Sequence, residues 1–312
     1  MSKALLELGR TLAELGYRFT TVTPSTQEIV NARPGNSLAG SLRDVFGWSR
    51  PFEANVMPKK LFELMSAAEV LEKTPSGDLW RSTVRFSSMD GLLFAHSAYP
   101  TTDRDAVFFG PDSVRFVNAI TRSAPLAMRV LDVGCGSGVA GIVLARRGFG
   151  VQKVVLADDN EQALRLATVN AALAGVGAEI VRSDVLKDVE GDVDLIVSNP
   201  PYLRDDQERA YRDGGGQFGE ALAVRITRES LDRLARNPRG GALLLYTGAA
   251  VVAGVDRFLS EIVDDLHAAH AHYSYEELDP DIFSEELAKP AYADVERLAA
   301  VFLKAHVGPR RR

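Results

Sequence analysis

A glycine loop between a short apolar strand and a helix is the feature that most constrains this chain. Residues 129–133 read Arg-Val-Leu-Asp-Val, residues 134–138 read Gly-Cys-Gly-Ser-Gly, and residues 139–147 have a helical composition. Glycines at the end of a strand allow a tight turn and let a ligand approach the backbone, because no Cβ is in the way. The free N–H groups at the start of the next helix also favour a ligand. Alone, such a loop also suits a plain tight turn or a dinucleotide site.

Strands and helices alternate from about residue 108 to the end of the chain. We predict further helices at residues 161–174 and 217–235. We predict further strands at residues 153–157, 179–181, 193–198 and 242–246 and, after residues 251–266, at 269–275 and 298–305. This alternation implies right-handed strand–helix–strand units and a parallel sheet with helices on both faces. The predicted fold class is therefore α/β.

The first third of the chain has a different pattern. Apolar residues at helical spacing predict helices, and a stretch rich in Thr, Pro, Asn and Gly between them is predicted to be irregular with short helical turns. Two strands joined by the turn dipeptide Asp90-Gly91 predict a hairpin. The helices span residues 3–15 and 59–73, the irregular stretch spans 17–58, and the strands span 79–86 and 92–96. A helix followed by a hairpin resembles a winged-helix element, which either binds nucleic acid or forms a packing platform.

Charge and composition favour the packing platform. The net charge is −6, whereas a dedicated nucleic-acid binder usually carries a basic face. The single cysteine excludes an internal disulfide framework and a zinc site built from cysteines, and we predict no metal. No apolar run reaches the roughly 18 residues of a membrane span, and the N-terminus has no signal-peptide pattern, so we expect a cytoplasmic protein without a membrane partner. The C-terminal Arg310, Arg311 and Arg312 are predicted to be a solvated tail.

Acidic side chains follow the predicted strands in an informative order. Asp132 lies in the first strand, before the glycine loop. Asp158 stands at the end of the second strand, where a doubly wound fold places an acid on a ribose hydroxyl, and the neighbouring Asp159 competes for this assignment. Asp184, after the third strand, can accept a hydrogen bond from an adenine amino group. Each of these aspartates, taken alone, is more typical of a solvated loop. The glycine loop followed by acids at the ends of successive strands, however, predicts a nucleoside-type ligand.

The motif Asn199-Pro200-Pro201-Tyr202 follows the fourth strand directly. Here the chain resembles the class I S-adenosylmethionine-dependent methyltransferases that carry this motif. The resemblance implies that the Asn199 side-chain oxygen and the Pro200 carbonyl accept hydrogen bonds from a planar acceptor NH₂, whose lone pair is delocalised. Two prolines hold the carbonyl rigidly, and the Tyr202 ring can stack on the acceptor. Positioning and preorganised dipoles would then supply most of the rate enhancement of an N-methyltransferase.

Two further segments resemble the release-factor glutamine methyltransferases, of the methyltransferase small-domain type: Gly110-Pro111-Asp112-Ser113 and Arg212-Asp213-Gly214-Gly215. The resemblance covers about residues 108 to 250 and makes a glutamine side chain a candidate acceptor. It implies a Rossmann-like seven-stranded methyltransferase sheet. It also implies S-adenosyl-L-methionine as cofactor, with S-adenosyl-L-homocysteine as product. The cofactor-binding residues are predicted to be Asp132, Gly134, Cys135, Gly136, Gly138, Asp158, Asp159, Asp184 and Asn199. Cys135 is expected to be a small packing residue and not a nucleophile.

The rest of the chain departs from that family. Residues 1–107 do not match its small N-terminal helical bundle, so we divide the chain into an accessory α+β domain at 1–107, for substrate recognition, and a catalytic domain at 108–312. The acidic segment 275–287 is also foreign to the family. It is either a solvated loop or a lid whose carboxylates hold a cationic substrate such as a guanidinium, with residues 17–24 as part of the same pocket.

The sequence therefore leaves the acceptor open. The resemblance of the catalytic domain favours a glutamine side chain in a protein. The acidic segment and the absent bundle favour a small amino acid or metabolite with an amide or guanidine nitrogen. The same motif also serves exocyclic amines of ribosomal RNA or DNA, which the net charge disfavours. A non-catalytic module that keeps S-adenosylmethionine as a structural ligand is the remaining alternative, and the intact Asn199 and Tyr202 argue against it. The oligomeric state is not indicated.

Overall fold

The computed structural model describes residues 2–309; the predicted C-terminal arginine tail lies outside the described residues. The first third of the chain forms four helices and four short strands. They are α1 (Ser2–Glu14), α2 (Pro24–Asn31), α3 (Leu42–Phe46), α4 (Lys59–Ala67), β1 (Leu71–Lys73), β2 (Trp80–Ser82), β3 (Val84–Met89) and β4 (Leu92–Ser97). The hairpin predicted around Asp90-Gly91 forms between β3 and β4. Both turn residues have positive φ angles, as a tight two-residue hairpin turn requires.

The remaining residues alternate between helices and strands as predicted. The elements are α5 (Pro111–Ser123), β5 (Arg129–Val133), α6 (Val139–Arg147), β6 (Lys153–Asp158), α7 (Glu161–Ala174), β7 (Ala178–Arg182), β8 (Leu195–Ser198), α8 (Ala221–Arg236), β9 (Gly241–Val252), β10 (Val255–Asp256), α9 (Arg257–Ala268), β11 (His272–Asp279) and β12 (Arg297–Val307). Short 3₁₀ turns occur at residues 54–56, 284–288 and 290–292.

One large sheet has the order β11-β12-β9-β8-β5-β6-β7, with β10 added beside β9. The five strands β9, β8, β5, β6 and β7 are mutually parallel, and β12 runs antiparallel to both of its neighbours. The predicted α/β, Rossmann-like sheet is confirmed. Ligands bind such sheets outside the carboxyl ends of the parallel strands, near the point where the strand order reverses. Here that point is the junction of β5 with β8, between the glycine loop and the Asn-Pro-Pro-Tyr motif.

Strand β9 is much longer than the sequence predicts. The predicted strand spans residues 242–246, but β9 spans twelve residues because β12 pairs with it from Gly241 to Val251. The predicted strand at 79–86 is divided in the structure, with β2 pairing with β1 and β3 pairing with β4. Helix α8 begins later than predicted, at Ala221, because Gly215, Gly216 and Gly219 before it all have positive φ angles. Each of these differences between predicted and observed bounds arises from pairing with another strand or from a turn that contains glycines.

The hairpin β3–β4 packs against α7, the helix that follows β6. Leu5, Leu8 and Phe86 share one buried cluster with Leu166 and Val169 of α7. The accessory elements therefore contact the same helix that supports the glycine loop. The division at residue 107 stays a prediction. Within residues 2–309, no helix is long and apolar enough to cross a membrane.

Candidate active site

A cavity of about 340 Å³ opens at the carboxyl ends of β5, β6 and β8. A volume of this order is typical of small-ligand sites. Its walls combine three sequence-predicted segments with residues from both ends of the chain. They include the glycine loop at 134–137, residues 158–160 after β6, the motif at 199–202, Pro24 from the first third, and Phe283 from the acidic segment. The sheet thus brings most of the predicted site together.

The glycine loop leaves open space on its cavity side. Gly134, Gly136 and Gly138 have φ angles of 63°, 53° and 76°, which L-residues adopt with strain. A Cβ on Gly134 would meet no atom within 4 Å, and one on Gly136 would meet only Val107 at 3.9 Å. By contrast, a Cβ on Gly138 would lie 3.0 Å from Leu156. The first two glycines therefore face free space, and Gly138 lets α6 pack closely on the sheet.

Two buried aspartates hold the glycine loop and the helix that follows it. Asp158 accepts hydrogen bonds from the backbone N–H of Gly136 at 2.9 Å and of Asn160 at 3.0 Å. Asp132 accepts one from the N–H of Gly141 at 2.9 Å. Burial raises the pKa of Asp158 to about 6 and the pKa of Asp132 to about 8. Both residues line the cavity; Asp158 fixes the backbone of the glycine loop, and Asp132 fixes the first turn of α6.

The other predicted cofactor residues differ in placement. Asp159 lines the cavity beside Asp158, so both remain candidates for a ribose hydroxyl. Asp184 does not line it; its carboxylate receives two hydrogen bonds from Arg225, at 2.6 and 2.9 Å. The structure therefore lends no support to the predicted adenine contact of Asp184. Cys135 is buried, and burial raises the pKa of its thiol well above the ordinary value, which agrees with a packing role.

Asn199 lines the cavity and carries an unpaired acceptor. Its side-chain Oδ1 is buried and has no hydrogen-bond partner among the described residues. A buried polar atom without a partner is unfavourable, and in native proteins it usually indicates a ligand or water. Pro200 and Pro201 also line the cavity. Gly214, part of the predicted Arg-Asp-Gly-Gly segment, supports them, since a Cβ there would lie 2.5 Å from the Pro201 carbonyl oxygen. The backbone of Gly214 therefore packs closely against the Asn-Pro-Pro-Tyr motif.

Tyr202 lines the cavity from a closely packed position. Its ring lies 6.3 Å from that of Tyr246 and 6.2 Å from that of Phe283. Burial, together with the nearby Asp112 carboxylate, raises the pKa of the Tyr202 phenol well above its ordinary value. Only 9% of the residue is exposed, so contact with an acceptor is restricted to the part of the ring that faces the cavity.

Asp112 has a role that sequence reasoning missed. The residue is buried, lines the cavity, and accepts hydrogen bonds from the Tyr246 hydroxyl at 2.8 Å and from Arg115 at 3.0 Å. Arg115 also binds Asp279 of the acidic segment at 3.0 Å. The signal was present, because Asp112 belongs to the Gly-Pro-Asp-Ser segment that carries the family resemblance. Its position predicts that it shapes the wall next to Tyr202.

The acidic segment 275–287 reaches the cavity through an aromatic side chain. Phe283 lines the cavity with a positive φ of 54°. Three carboxylates of the segment form ion pairs within the protein: Glu286 pairs with Arg212 and Lys289, Asp279 with Arg115, and Glu277 with Arg297. A lid that covers the cavity fits this arrangement. No acidic side chain of the segment lines the cavity among the described residues, so the alternative of carboxylate contacts to a cationic substrate gains no support.

These residues fit the implied cofactor. Gly134 and Gly136 leave room for a ligand against the backbone, Asp158 and Asp159 present carboxylates beside them, and Asn199 offers a free acceptor. Hydroxyl and amino groups of a nucleoside are suitable partners for such oxygens. Within residues 2–309, no cluster of three or more His, Cys, Asp or Glu could hold a metal ion.

Comparison with known protein families also indicates a methyltransferase. Residues 113–214 match the methyltransferase small domain. Over these residues the chain is similar to the methyltransferase small domain. This domain spans α5 to the Arg-Asp-Gly-Gly segment and includes the glycine loop and the Asn-Pro-Pro-Tyr motif. The predicted resemblance to class I S-adenosylmethionine-dependent methyltransferases is confirmed.

Curated relatives of the methyltransferase small domain have different substrates in their names. A release factor glutamine methyltransferase from Deinococcus radiodurans is 34% identical over 128 residues, 41% of this chain and 45% of that protein. A ribosomal RNA small subunit methyltransferase C from Chromohalobacter salexigens is 42% identical over 125 residues, 40% of this chain and 33% of that protein. The chain thus spans less than half the length of these relatives. The Pyrococcus abyssi Trm5b structure shares the fold, with a TM-score of 0.51 and 15% identity over 74% of this chain and 59% of that one.

Proposed function

We propose that this protein transfers a methyl group from S-adenosylmethionine to a planar nitrogen of the amide or guanidine type. The acceptor is either a glutamine side chain of a protein or a small amino acid. The observation that carries the proposal is the buried, unpaired Oδ1 of Asn199, a residue that lines the cavity. An acceptor NH₂ group supplies the hydrogen-bond donor that this oxygen lacks. A 34% identical relative named a release factor glutamine methyltransferase supports the same acceptor chemistry.

Different residues that line the cavity would bind the cofactor, orient the acceptor nitrogen and exclude water. Gly134, Gly136 and Asp158 would hold the cofactor, which supplies an electrophilic methyl group on a sulfonium. Asn199 Oδ1 and the Pro200 carbonyl would accept hydrogen bonds from the acceptor NH₂ and so fix the direction of its lone pair. Such fixed dipoles also favour the positive charge that develops on the nitrogen during transfer. Tyr202 and Phe283 would close the aromatic wall around the planar group and exclude water.

An exocyclic amine of ribosomal RNA is the second candidate acceptor. It is favoured by the relative named a ribosomal RNA small subunit methyltransferase C, which is 42% identical over 125 residues. The same Asn199 oxygen would bind a nucleobase amino group. The net charge of −6 weighs against it, because binding of a nucleic-acid backbone depends on basic side chains.

Methyl transfer from labelled S-adenosylmethionine to a fractionated cell extract tests the proposal. We expect label in protein or in the small-molecule fraction, and a loss of about 10²-fold or more in Asn199→Ala, as for loss of a preorganised polar contact. The matched control is Asn118→Ala, at an exposed position of α5, which should keep full turnover. Label in ribosomal RNA would select the second candidate. Undiminished transfer by Asn199→Ala would refute the assigned role of Asn199.

A further inference from the structure

The cavity is completed by a residue that lies beyond the matched domain. Relatives named for release factor glutamine and for ribosomal RNA match this chain over 128 and 125 residues, so the shared part does not fix the acceptor by itself. Phe283 lies outside residues 113–214, lines the cavity, and packs against the ring of Tyr202 in the Asn-Pro-Pro-Tyr motif. This side chain is therefore placed to influence which acceptor reaches the motif.

Phe283 is held in an unfavourable backbone conformation. Its φ and ψ angles are 54° and 43°, in the left-handed region that L-residues adopt with strain. Backbone hydrogen bonds fix this geometry: the Ile282 N–H donates to the Leu298 carbonyl at 2.7 Å, and the Glu286 N–H donates to the Phe283 carbonyl at 2.8 Å. Such strain persists only where the surrounding structure enforces it, and it is frequent at ligand sites.

Ion pairs anchor both ends of this segment to residues that line the cavity. At one end, Asp279 pairs with Arg115 at 3.0 Å, and Arg115 pairs with the cavity residue Asp112 at 3.0 Å. At the other end, Glu286, whose side chain is 3% exposed, pairs with the cavity residue Arg212. Removal of one partner from so buried an ion pair is strongly destabilising. The aromatic ring between the two anchors is therefore held against the cavity.

The contact between the two rings leaves no slot for a third ring between them. The ring centroids of Phe283 and Tyr202 lie 6.2 Å apart, and their planes are inclined at 55°. A ring placed between two others needs about 3.5 Å on each face, or about 7 Å between parallel planes. Enzymes that act on nucleobases hold the base by such stacking between side chains. An amide or guanidine group has no ring and needs no slot of this kind.

We propose that Phe283 is a specificity-determining residue, which admits a slender planar group beside Tyr202 and excludes a ring of nucleobase size. The inference rests on the proposed function, because it concerns the acceptor of the same methyl transfer. It assigns the choice between an amide-type acceptor and a nucleobase to one side chain. Phe283 acts by occupying space, so its removal should open the face of Tyr202 to a ring.

Binding of two primary amides to the full chain, with bound S-adenosylhomocysteine, tests the inference. Propanamide is the slender probe, and nicotinamide carries the same amide group on a six-membered ring. Ligand-observed NMR measures the affinity of each probe. We expect the wild type to bind propanamide and to exclude nicotinamide. Phe283→Ala should bind nicotinamide at least about 10-fold more tightly than the wild type does, which is the size of one stacking contact between a base and an aromatic side chain.

Three further variants make the result specific. Phe283→Gly removes the ring at a backbone position that suits glycine, so it should gain nicotinamide binding even if Phe283→Ala folds poorly. Phe62→Ala is the matched control, because its ring packs against Trp80 at 5.3 Å and does not line the cavity; its selectivity should equal that of the wild type. Asn199→Ala combined with Phe283→Ala should weaken nicotinamide binding, because the amide then loses its acceptor.

The inference would be overturned by a wild type that binds nicotinamide as tightly as propanamide, or that does not bind propanamide. Phe283 variants without a gain in nicotinamide affinity, or an equal gain in Phe62→Ala, would also overturn it. Because these binding measurements do not depend on turnover, they separate this inference from the proposed function. Selectivity that depends on Phe283, without methyl transfer to any fraction of the extract, would remove the proposed function alone. Methyl transfer to protein or to a small molecule, without such selectivity, would remove this inference alone.

Discussion

The backbone of Gly248 lies directly against the ring of Tyr202: a Cβ at Gly248 would lie 2.3 Å from Cδ2 of that ring. Gly248 belongs to β9, in the part of the strand that extends beyond the predicted residues. The glycine thus gives the motif tyrosine the space to pack against Tyr246 and face the cavity. Strand β9 has a role in the site as well as in the sheet.

Gly248→Ala should therefore displace Tyr202. We expect a loss of turnover of about 10²-fold, because small misplacements in an active site have effects of this size. Overpacking should also lower the free energy of unfolding by about 1–3 kcal/mol. Methyl-transfer kinetics and urea unfolding measure the two effects. Gly177→Ala is the control, since a Cβ at Gly177 meets no atom within 4 Å. Unchanged kinetics in Gly248→Ala would show that the position of Tyr202 does not matter for transfer.

Asn170 of α7 joins the hairpin to the glycine loop. Its Nδ2 donates to the carbonyls of Ser137 and Ala95, both at 2.9 Å, and its Oδ1 accepts from the Ala95 N–H at 2.7 Å. Asn170→Leu leaves these buried backbone groups without partners, and each such group costs about 1–3 kcal/mol. We expect the free energy of unfolding to fall by at least about 2 kcal/mol, with weaker S-adenosylmethionine binding. Calorimetry measures both quantities.

The exposed Asn118→Leu change on α5 is the control for Asn170→Leu and should alter neither quantity measurably. If Asn170→Leu lowers the stability but leaves cofactor affinity intact, the hairpin contact does not influence the loop. That result would remove the argument that the accessory elements support the cofactor site.

Asp132 should make stability depend on pH. Burial raises its folded-state pKa to about 8, against an ordinary value of about 4, so the folded protein keeps a proton that the unfolded chain releases. The stability contributed by this group is complete below about pH 4 and declines as the pH rises towards 8. Asp132→Asn, which keeps an acceptor for the Gly141 N–H, removes this decline. We expect it to gain on the order of a few kcal/mol relative to the wild type between pH 5 and 8.

Urea unfolding at several pH values measures this difference, and the exposed Asp206→Asn provides the reference curve. A wild-type curve that stays parallel to the Asp132→Asn curve from pH 5 to 8 would mean that Asp132 is ionised in the folded protein. In that case the carboxylate would carry its charge into the cavity at neutral pH.

Local signals in the sequence predicted β5, α6 and α7 with the bounds that the structure shows. Helix α7 runs from Glu161 to Ala174 as predicted, because the Asn160 side chain caps its start and Gly175, with a φ of 68°, ends it. Such caps are readable from sequence alone. The length of β9 was not readable, since it follows from pairing with β12, about 50 residues later in the chain.

The same distinction applies to the site. Asn199 and the glycine loop were predicted because their residue types are consecutive in the sequence. The pairing of Asp184 with Arg225 of α8 joins residues 41 positions apart, and no local pattern indicates it. The contact of Phe283 with Tyr202 was equally hidden, because it joins residues that lie far apart in the sequence.

The two acids predicted to bind the cofactor should differ in their effect. Asp158→Ala removes a cavity carboxylate and the acceptor for the Gly136 N–H, so S-adenosylmethionine should bind at least about 10-fold more weakly, as for loss of a charged hydrogen bond. Asp184→Ala should change the affinity less than about 3-fold, because Arg225 already occupies that carboxylate at an exposed position, where ion pairs contribute little. Isothermal titration of the cofactor decides between them. Arg225→Met tests whether Asp184 exchanges its ion pair with Arg225 for a contact to the cofactor. If this variant binds the cofactor more tightly, Asp184 does make that exchange, and the adenine contact predicted from sequence is restored.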